Sequence, residues 1–134
     1  MILVAQIVTL IAAGVHLLAF VWESFLFRRP SVHEGIFRIP SSDVHAAHLW
    51  AFNVGFYNLF LASGAVAGVI PWWSGHDTPG RTLVVYTCIF MFLAGIALAV
   101  SDRMALSRRR GDGVAGALSQ TVPPLVAQIA LAVG

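Results

Sequence analysis

Charge is what this chain has least of. Only 10% of its 134 residues are charged, against 58% hydrophobic, where soluble domains carry about 25% charged residues. That excludes an ordinary water-soluble domain and implies a single membrane domain, since the chain is too short for two. Lysine is absent, so all eight cationic positions are Arg, and the net charge is only +2. With no basic stripe interleaved with exposed aromatics, no nucleic-acid partner is expected. Cysteine is down to Cys88, which excludes an internal disulfide and leaves the redox compartment open. The N-terminus lacks the basic region of a secretory signal, and its apolar run is long enough to span a bilayer; it is expected to stay as a helix. No P-loop, nucleophile elbow or dinucleotide fingerprint is present, and His33-Glu34 is not followed by the second His of a zinc-protease motif. There is no internal repeat and no low-complexity segment.

What is present is four apolar runs. A spanning helix needs about 20 apolar residues, and the pattern predicts helices over 2–27, 43–70, 82–103 and 114–133. The fold class expected is an all-α integral membrane four-helix bundle. Arg28-Arg29-Pro30 closes the first run, because proline cannot continue the hydrogen-bond ladder and the arginines seek water. Residues 31–42 read as a loop with a turn near Gly35–Phe37, and Ser41, Ser42 or Asp43 as the N-cap of the second helix. Pro71 is expected to end that helix, with Trp72 and Trp73 in the interfacial aromatic belt and 74–81 as a polar turn. Gly64 and Gly68 form a GxxxG pair that lets a neighbouring backbone approach closely. Asp102-Arg103 reads as a solvated helix end, and Arg108-Arg109-Arg110 as a solvated loop. Pro123-Pro124 is expected to kink the last helix or delay its regular start.

Seven of the eight arginines fall in the first and third loops and one, Arg81, in the second. The positive-inside rule then predicts loops one and three in the cytoplasm and both termini outside, in the inner membrane.

Polar side chains inside the spans are costly in a bilayer, so they face protein or a water-filled cavity. Every helix brings some to the half near loops one and three: His16 and Glu23; His45, His48, Asn53, Tyr57 and Asn58; Asp102; Gln120. His16 and Glu23 are seven residues apart, on one face and separated by roughly 10 Å at 1.5 Å per residue. At about 100° per residue, Asn53 and Tyr57 share a face of the second helix, while Asn58 and His48 lie nearer the other side. That helix therefore touches two neighbours, and only part of the set can line one cavity.

Each signal has a structural reading beside the functional one. Glu23 is either an interfacial carboxylate paired with Arg28, Arg29 or Arg103, or a general acid or base. His16 is a proton carrier, a haem or metal ligand, or a hydrogen-bond anchor between helices. His45 and His48 have the spacing of two ligands on one helix face. No dedicated metal site is expected; His16, His45 and His48 are the only candidate ligands. Asn53, Tyr57 and Asn58 either orient a ligand or oxyanion or hold helices together.

The pairing of His16 with Glu23, the run Ala51-Phe-Asn-Val-Gly-Phe-Tyr-Asn-Leu-Phe-Leu-Ala-Ser-Gly64, and Gln120-Thr-Val-Pro123 resemble a bacterial family of small four-helix membrane proteins. That family is catalogued as domain of unknown function 1304. The run resembles the family's asparagine–(any)–glycine–(any)–tyrosine–asparagine core. The resemblance covers nearly the whole chain and implies an architecture rather than an activity. The longer first loop and Arg-rich third loop depart from the family's usual short forms.

The residues favour an enzyme acting on a small apolar or amphipathic molecule that enters from the inner leaflet. Glu23, His16, Asn53 and Tyr57 are the candidate catalytic residues: Glu23 exchanging protons, His16 supporting it, Asn53 and Tyr57 holding a developing negative oxygen. Asn58, His48, Gln120 and Trp50 are the candidate substrate contacts. Isomerisation, epoxide opening or cyclisation suits a site expected to need no cofactor. The alternatives are a non-catalytic binding or transport subunit, and a haem b protein with His16 or His48 as axial ligand. So small a bundle has little interior of its own, and a homo-oligomer in the lipid bilayer is expected.

Overall fold

A computed structural model describes residues 1–106 and 109–133. The described chain is all helical: α1 (Ile2–Ser24), α2 (Pro30–His33), α3 (Val44–Trp73), α4 (Asp77–Arg103) and α5 (Val114–Val133). All but the four-residue α2 are long and apolar enough to cross a membrane. They form a four-sided bundle in which α1 packs on α3 and α5, α4 packs on the same two, and α1 and α4 meet only marginally across the diagonal.

Neighbouring helices run antiparallel, and two hydrogen bonds set the offset of α1 and α3. Ser24 Oγ donates to the Phe52 carbonyl at 3.3 Å, and Trp73 Nε1 donates to Gln6 Oε1 at 2.8 Å. Residue 24 therefore stands near residues 52–55 and residue 6 near residue 73. Small residues fill the seams. One cluster joins Ala12, Ala13, Ala62, Ala65 and Met91; another joins Ala5, Val69, Trp72, Val84, Cys88, Ala127, Ala130 and Leu131. Large apolar side chains such as Leu3, Ile7, Ile11, Phe60 and Leu93 point outward. In lipid there is no hydrophobic force between helices, so close van der Waals packing of small residues does the joining.

The GxxxG pair works as the sequence implies. A Cβ on Gly64 would sit 3.0 Å from Thr87 Cγ2, and one on Gly68 would sit 2.9 Å from the Val84 nitrogen. Gly80 is tighter still, since its Cβ would meet the Gly68 carbonyl oxygen and the Trp72 nitrogen, both at 2.7 Å.

Several boundaries differ from the sequence reading. α1 ends at Ser24, and the chain turns through Phe25 to Phe27, where Phe27 is buried. α3 continues through Pro71 to Trp73; a proline in the last turn forfeits one ladder bond, too little to stop a packed helix. The second connection shrinks to Ser74–His76, because Gly75 at φ +82° reverses the chain and Pro79 sits in the first turn of α4, where no N–H is required. Pro123 and Pro124 lie inside α5, which runs unbroken from Val114. Trp72 is a core residue, not a belt residue; Trp73 is exposed.

Asp102 is the largest departure. It is 3% exposed rather than solvated, and its carboxylate accepts from the Gly111 N–H at 2.8 Å and the Gly113 N–H at 2.7 Å. It thereby clips the third loop to the end of α4. Arg108 of that loop lies outside the described residues.

Loop one is also ordered by its own bonds. α2 buries Val32 and His33, and His33 Nδ1 meets the Ile39 carbonyl at 2.9 Å.

Gly80→Ala or Gly68→Leu is expected to force α3 and α4 apart and cost about 1–3 kcal/mol, the usual range for overpacking. Gly14, whose Cβ would meet nothing within 4 Å, is the control: Gly14→Ala should be neutral or stabilise by up to about 1 kcal/mol through helix propensity. Thermal unfolding of the variants in one detergent reads both.

Candidate functional site

Three side chains meet on the α1–α3 seam. His16 and Glu23 face α3 from the same side of α1, two turns apart, and Asn58 reaches between them from α3. Its Nδ2 donates to Glu23 Oε2 at 2.7 Å, and its Oδ1 lies 2.7 Å from His16 Nδ1. One amide thus ties a carboxyl to an imidazole. The reach depends on Gly55, one turn before Asn58. A Cβ there would collide with Ser24 Oγ and stand 3.1 Å from Glu23 Cβ, so only glycine lets the two backbones come this close.

The hydrogen-bond inventory fixes the direction of the chain. With its NH2 group toward Glu23, Asn58 presents its carbonyl to His16, and a carbonyl can only accept. His16 then donates from its Nδ1–H. Nε2 is buried, and no described residue hydrogen-bonds it. If Glu23 takes up a proton, its carbonyl oxygen can still accept from Asn58 Nδ2, and the Asn58–His16 bond need not change. His16, at 2% exposure, is the sealed end of this chain of bonds, and Glu23, partly exposed, is its open end.

Glu23 is not the surface ion pair that its neighbours Arg28 and Arg29 invite. Among the described residues its partner is Asn58, and no Arg pairs with it.

Other candidate residues lie elsewhere. Asn53, Tyr57 and Trp50 share the outward face of α3, with Tyr57 61% and Trp50 68% exposed. Residues 50–57 of α3 stand at the level of the end of α1, but Trp50, Asn53 and Tyr57 turn away from the face that Gly55 and Asn58 present to Glu23. The structure therefore does not bring Asn53, Tyr57 or Trp50 together with Glu23. Gln120 is half-buried on α5, which packs on α1 and α4 and not along α3.

His48 belongs to a separate feature. It stacks on Phe27, with ring centroids 6.1 Å apart and planes 17° from parallel. With Arg28, Ser41, Val44 and His45 it lines a cleft of about 430 Å³ where α1 ends and α3 begins. His45 and His48 are thus apart from His16, and among the described residues no group of three or more His, Cys, Asp or Glu is placed to hold a metal ion.

The sequence reading missed the central place of Asn58 and the cleft role of Arg28. The helical angle that set Asn58 apart from Asn53 and Tyr57 was the available signal for the first.

Fold and site together define an integral membrane four-helix bundle with a hydrogen-bonded acid–amide–imidazole chain between its first and third helices. The family model described as protein of unknown function (DUF1304) matches residues 10–132, and the chain belongs to that family. No curated protein and no solved structure matches it.

Asn58→Leu leaves the buried His16 and the partly buried Glu23 without their shared partner. It should destabilise the bundle by roughly 2–6 kcal/mol, counting about 1–3 for each orphaned group. Asn53→Ala, on the outer face, should stay within about 0.5 kcal/mol of the parent. Melting temperatures in detergent separate the two.

Proposed function

We propose that this is a membrane enzyme whose Glu23–Asn58–His16 chain performs acid–base chemistry on a small apolar or amphipathic molecule. The observation that carries the reading is Asn58 hydrogen-bonded to Glu23 and His16 at once. Glu23, at the open end, gives a proton to one atom of the substrate and recovers one from another. Asn58 and His16 orient the carboxyl through their hydrogen bonds. A substrate that gains and loses one proton leaves Glu23 as it began. Isomerisation, cyclisation and epoxide opening meet that condition and need no external electron carrier.

The arginine asymmetry supports loops one and three in the cytoplasm, with both termini outside. Glu23 then opens toward the inner leaflet, from which an amphipathic substrate would come. The small interior supports a homo-oligomer. A haem b reading would use His16 Nε2, the one ring atom with no hydrogen bond. The ring is sealed, however, and a porphyrin would have to part α1 from α3. Purified protein with a Soret band would favour that reading, and its absence removes it.

The enzyme reading is tested by comparing lipophilic extracts of cells producing the parent and Glu23→Gln proteins at equal levels. The parent should convert a compound into one of the same mass, or of that mass plus one water, with altered retention. The variant should fold and leave the compound unconverted. Identical extracts, or full turnover by Glu23→Gln, would overturn the role given to Glu23.

A further inference from the structure

The cleft at the junction of α1 and α3 is a second candidate site, distinct from the Glu23–Asn58–His16 chain. Four of its five lining residues, Arg28, Ser41, His45 and His48, offer polar hydrogens; Val44 is the fifth. No carboxylate lines it. Of the acids near it in sequence, Glu23 bonds Asn58 at 2.7 Å, Glu34 at the cleft rim accepts from the Ser41 hydroxyl at 2.5 Å, and Asp43 accepts from the Ser42 hydroxyl at 2.9 Å. Because Ser41 already donates to Glu34, recognition falls on Arg28, His45 and His48. Arg28 has no hydrogen-bond or ion-pair partner among the described residues.

Three further features suit an anion. Val44 and His45 are the first residues of α3, whose N-cap Asp43 makes no side-chain bond to the first turn, so the N-terminal N–H groups are left without a side-chain cap. The cleft is preorganised, with His48 stacked on the buried Phe27 and loop one held by the His33–Ile39 bond. It also lies where the apolar part of α1 gives way to Arg28 and Arg29, the depth of lipid headgroups. Its 430 Å³ falls in the range of small-molecule sites.

We infer that this cleft binds a phosphate-type oxyanion, held by the Arg28 guanidinium fork with His45 and His48. A planar guanidinium matches two phosphate oxygens at once. The anion is either the headgroup of an acidic phospholipid or a free phosphate compound. The site does not depend on catalysis by Glu23, and Glu23→Gln should leave it intact.

The alternative is that Arg28 serves only to orient the chain in the membrane. Arg29 tests this, because it has the same charge and neighbouring depth but does not line the cleft. The experiment is native mass spectrometry of the purified full chain with phosphatidic acid and phosphatidylcholine of identical acyl chains, with and without millimolar inorganic phosphate. The parent is expected to prefer phosphatidic acid by on the order of tenfold. Arg28→Gln and His48→Gln should lose the preference with unchanged melting temperature, and Arg29→Gln should keep it. Displacement by inorganic phosphate assigns the site to soluble phosphate compounds; resistance to displacement assigns it to the lipid headgroup. Equal binding of the two lipids with no binding of inorganic phosphate would overturn the inference. So would a preference that survives Arg28→Gln or is lost equally in Arg29→Gln.

Discussion

A single amide spanning two ionisable groups is the interaction on which this end of the bundle depends. Asn58 has one donor face and one acceptor face directed at α1, and both are used. His16 is buried and Glu23 half-buried on this seam, so an imidazole and a carboxyl left alone there would each carry a desolvation cost with little to offset it. The amide satisfies one end of each, and its own reach is set by Gly55, which brings the α3 backbone against Ser24 and Glu23. Spacing does the rest. Gly55 and Asn58 are one turn apart on α3, and His16 and Glu23 two turns apart on α1. Each pair shares a face, and the four positions close around one seam.

The rest of the bundle is built to keep that seam from sliding. Its helix seams are mostly Ala, Gly and Val, with few large side chains such as Trp72, Met91 and Leu131 among them, and most of its bulk faces outward. Helices packed on small residues approach closely and interlock over short distances, which suits lipid, where burying a large side chain between helices gains little over leaving it among acyl chains. Polar bonds then mark particular registers. Trp73 to Gln6 holds one end of the α1–α3 seam, Ser24 to the Phe52 carbonyl holds the other, and Asn58 lies between them. A shift of one turn would break all three, so the geometry at Glu23 is defined by contacts along the whole length of α1.

Much of this was legible in the chain. Four apolar runs gave the spans, GxxxG marked a close helix contact without saying that α4 makes it, and a seven-residue spacing put His16 and Glu23 on one face. Periodicity also separated Asn58 from Asn53 and Tyr57. It could not say which of the two faces meets α1, because a helical pattern fixes angles within a helix and not the vertical offset between helices. That offset sets Trp50, Asn53 and Tyr57 level with the end of α1, and only a tertiary contact such as Ser24 to Phe52 reveals it. Asp102 was misread for a related reason. Its acceptors' partners, the Gly111 and Gly113 N–H groups, are backbone atoms across a loop, and backbone partners leave no mark in side-chain pattern. Pro71 was read by local rule as the end of α3, and packing carries the helix two residues past it; the proline pair does not delay the start of α5.

The fate of Glu23 and Arg28 links the two candidate sites. Charges of opposite sign five residues apart would ordinarily pair if the chain allowed it. Here α1 stops at Ser24, and the following turn buries Phe27 and carries Arg28 outward. Even in a continued helix, five residues are about 140° around the axis, whereas ion pairs favour spacings of three or four. The acid is left facing α3, where an amide meets it. The base is left facing the first turn of α3, where two histidines and no carboxylate meet it. Had the two charges paired, the amide would have lost its acceptor and the cleft its guanidinium. Their separation, enforced by where one helix ends, is what gives this boundary of the bundle an amide-bonded carboxyl on one side and a guanidinium lining a cleft on the other.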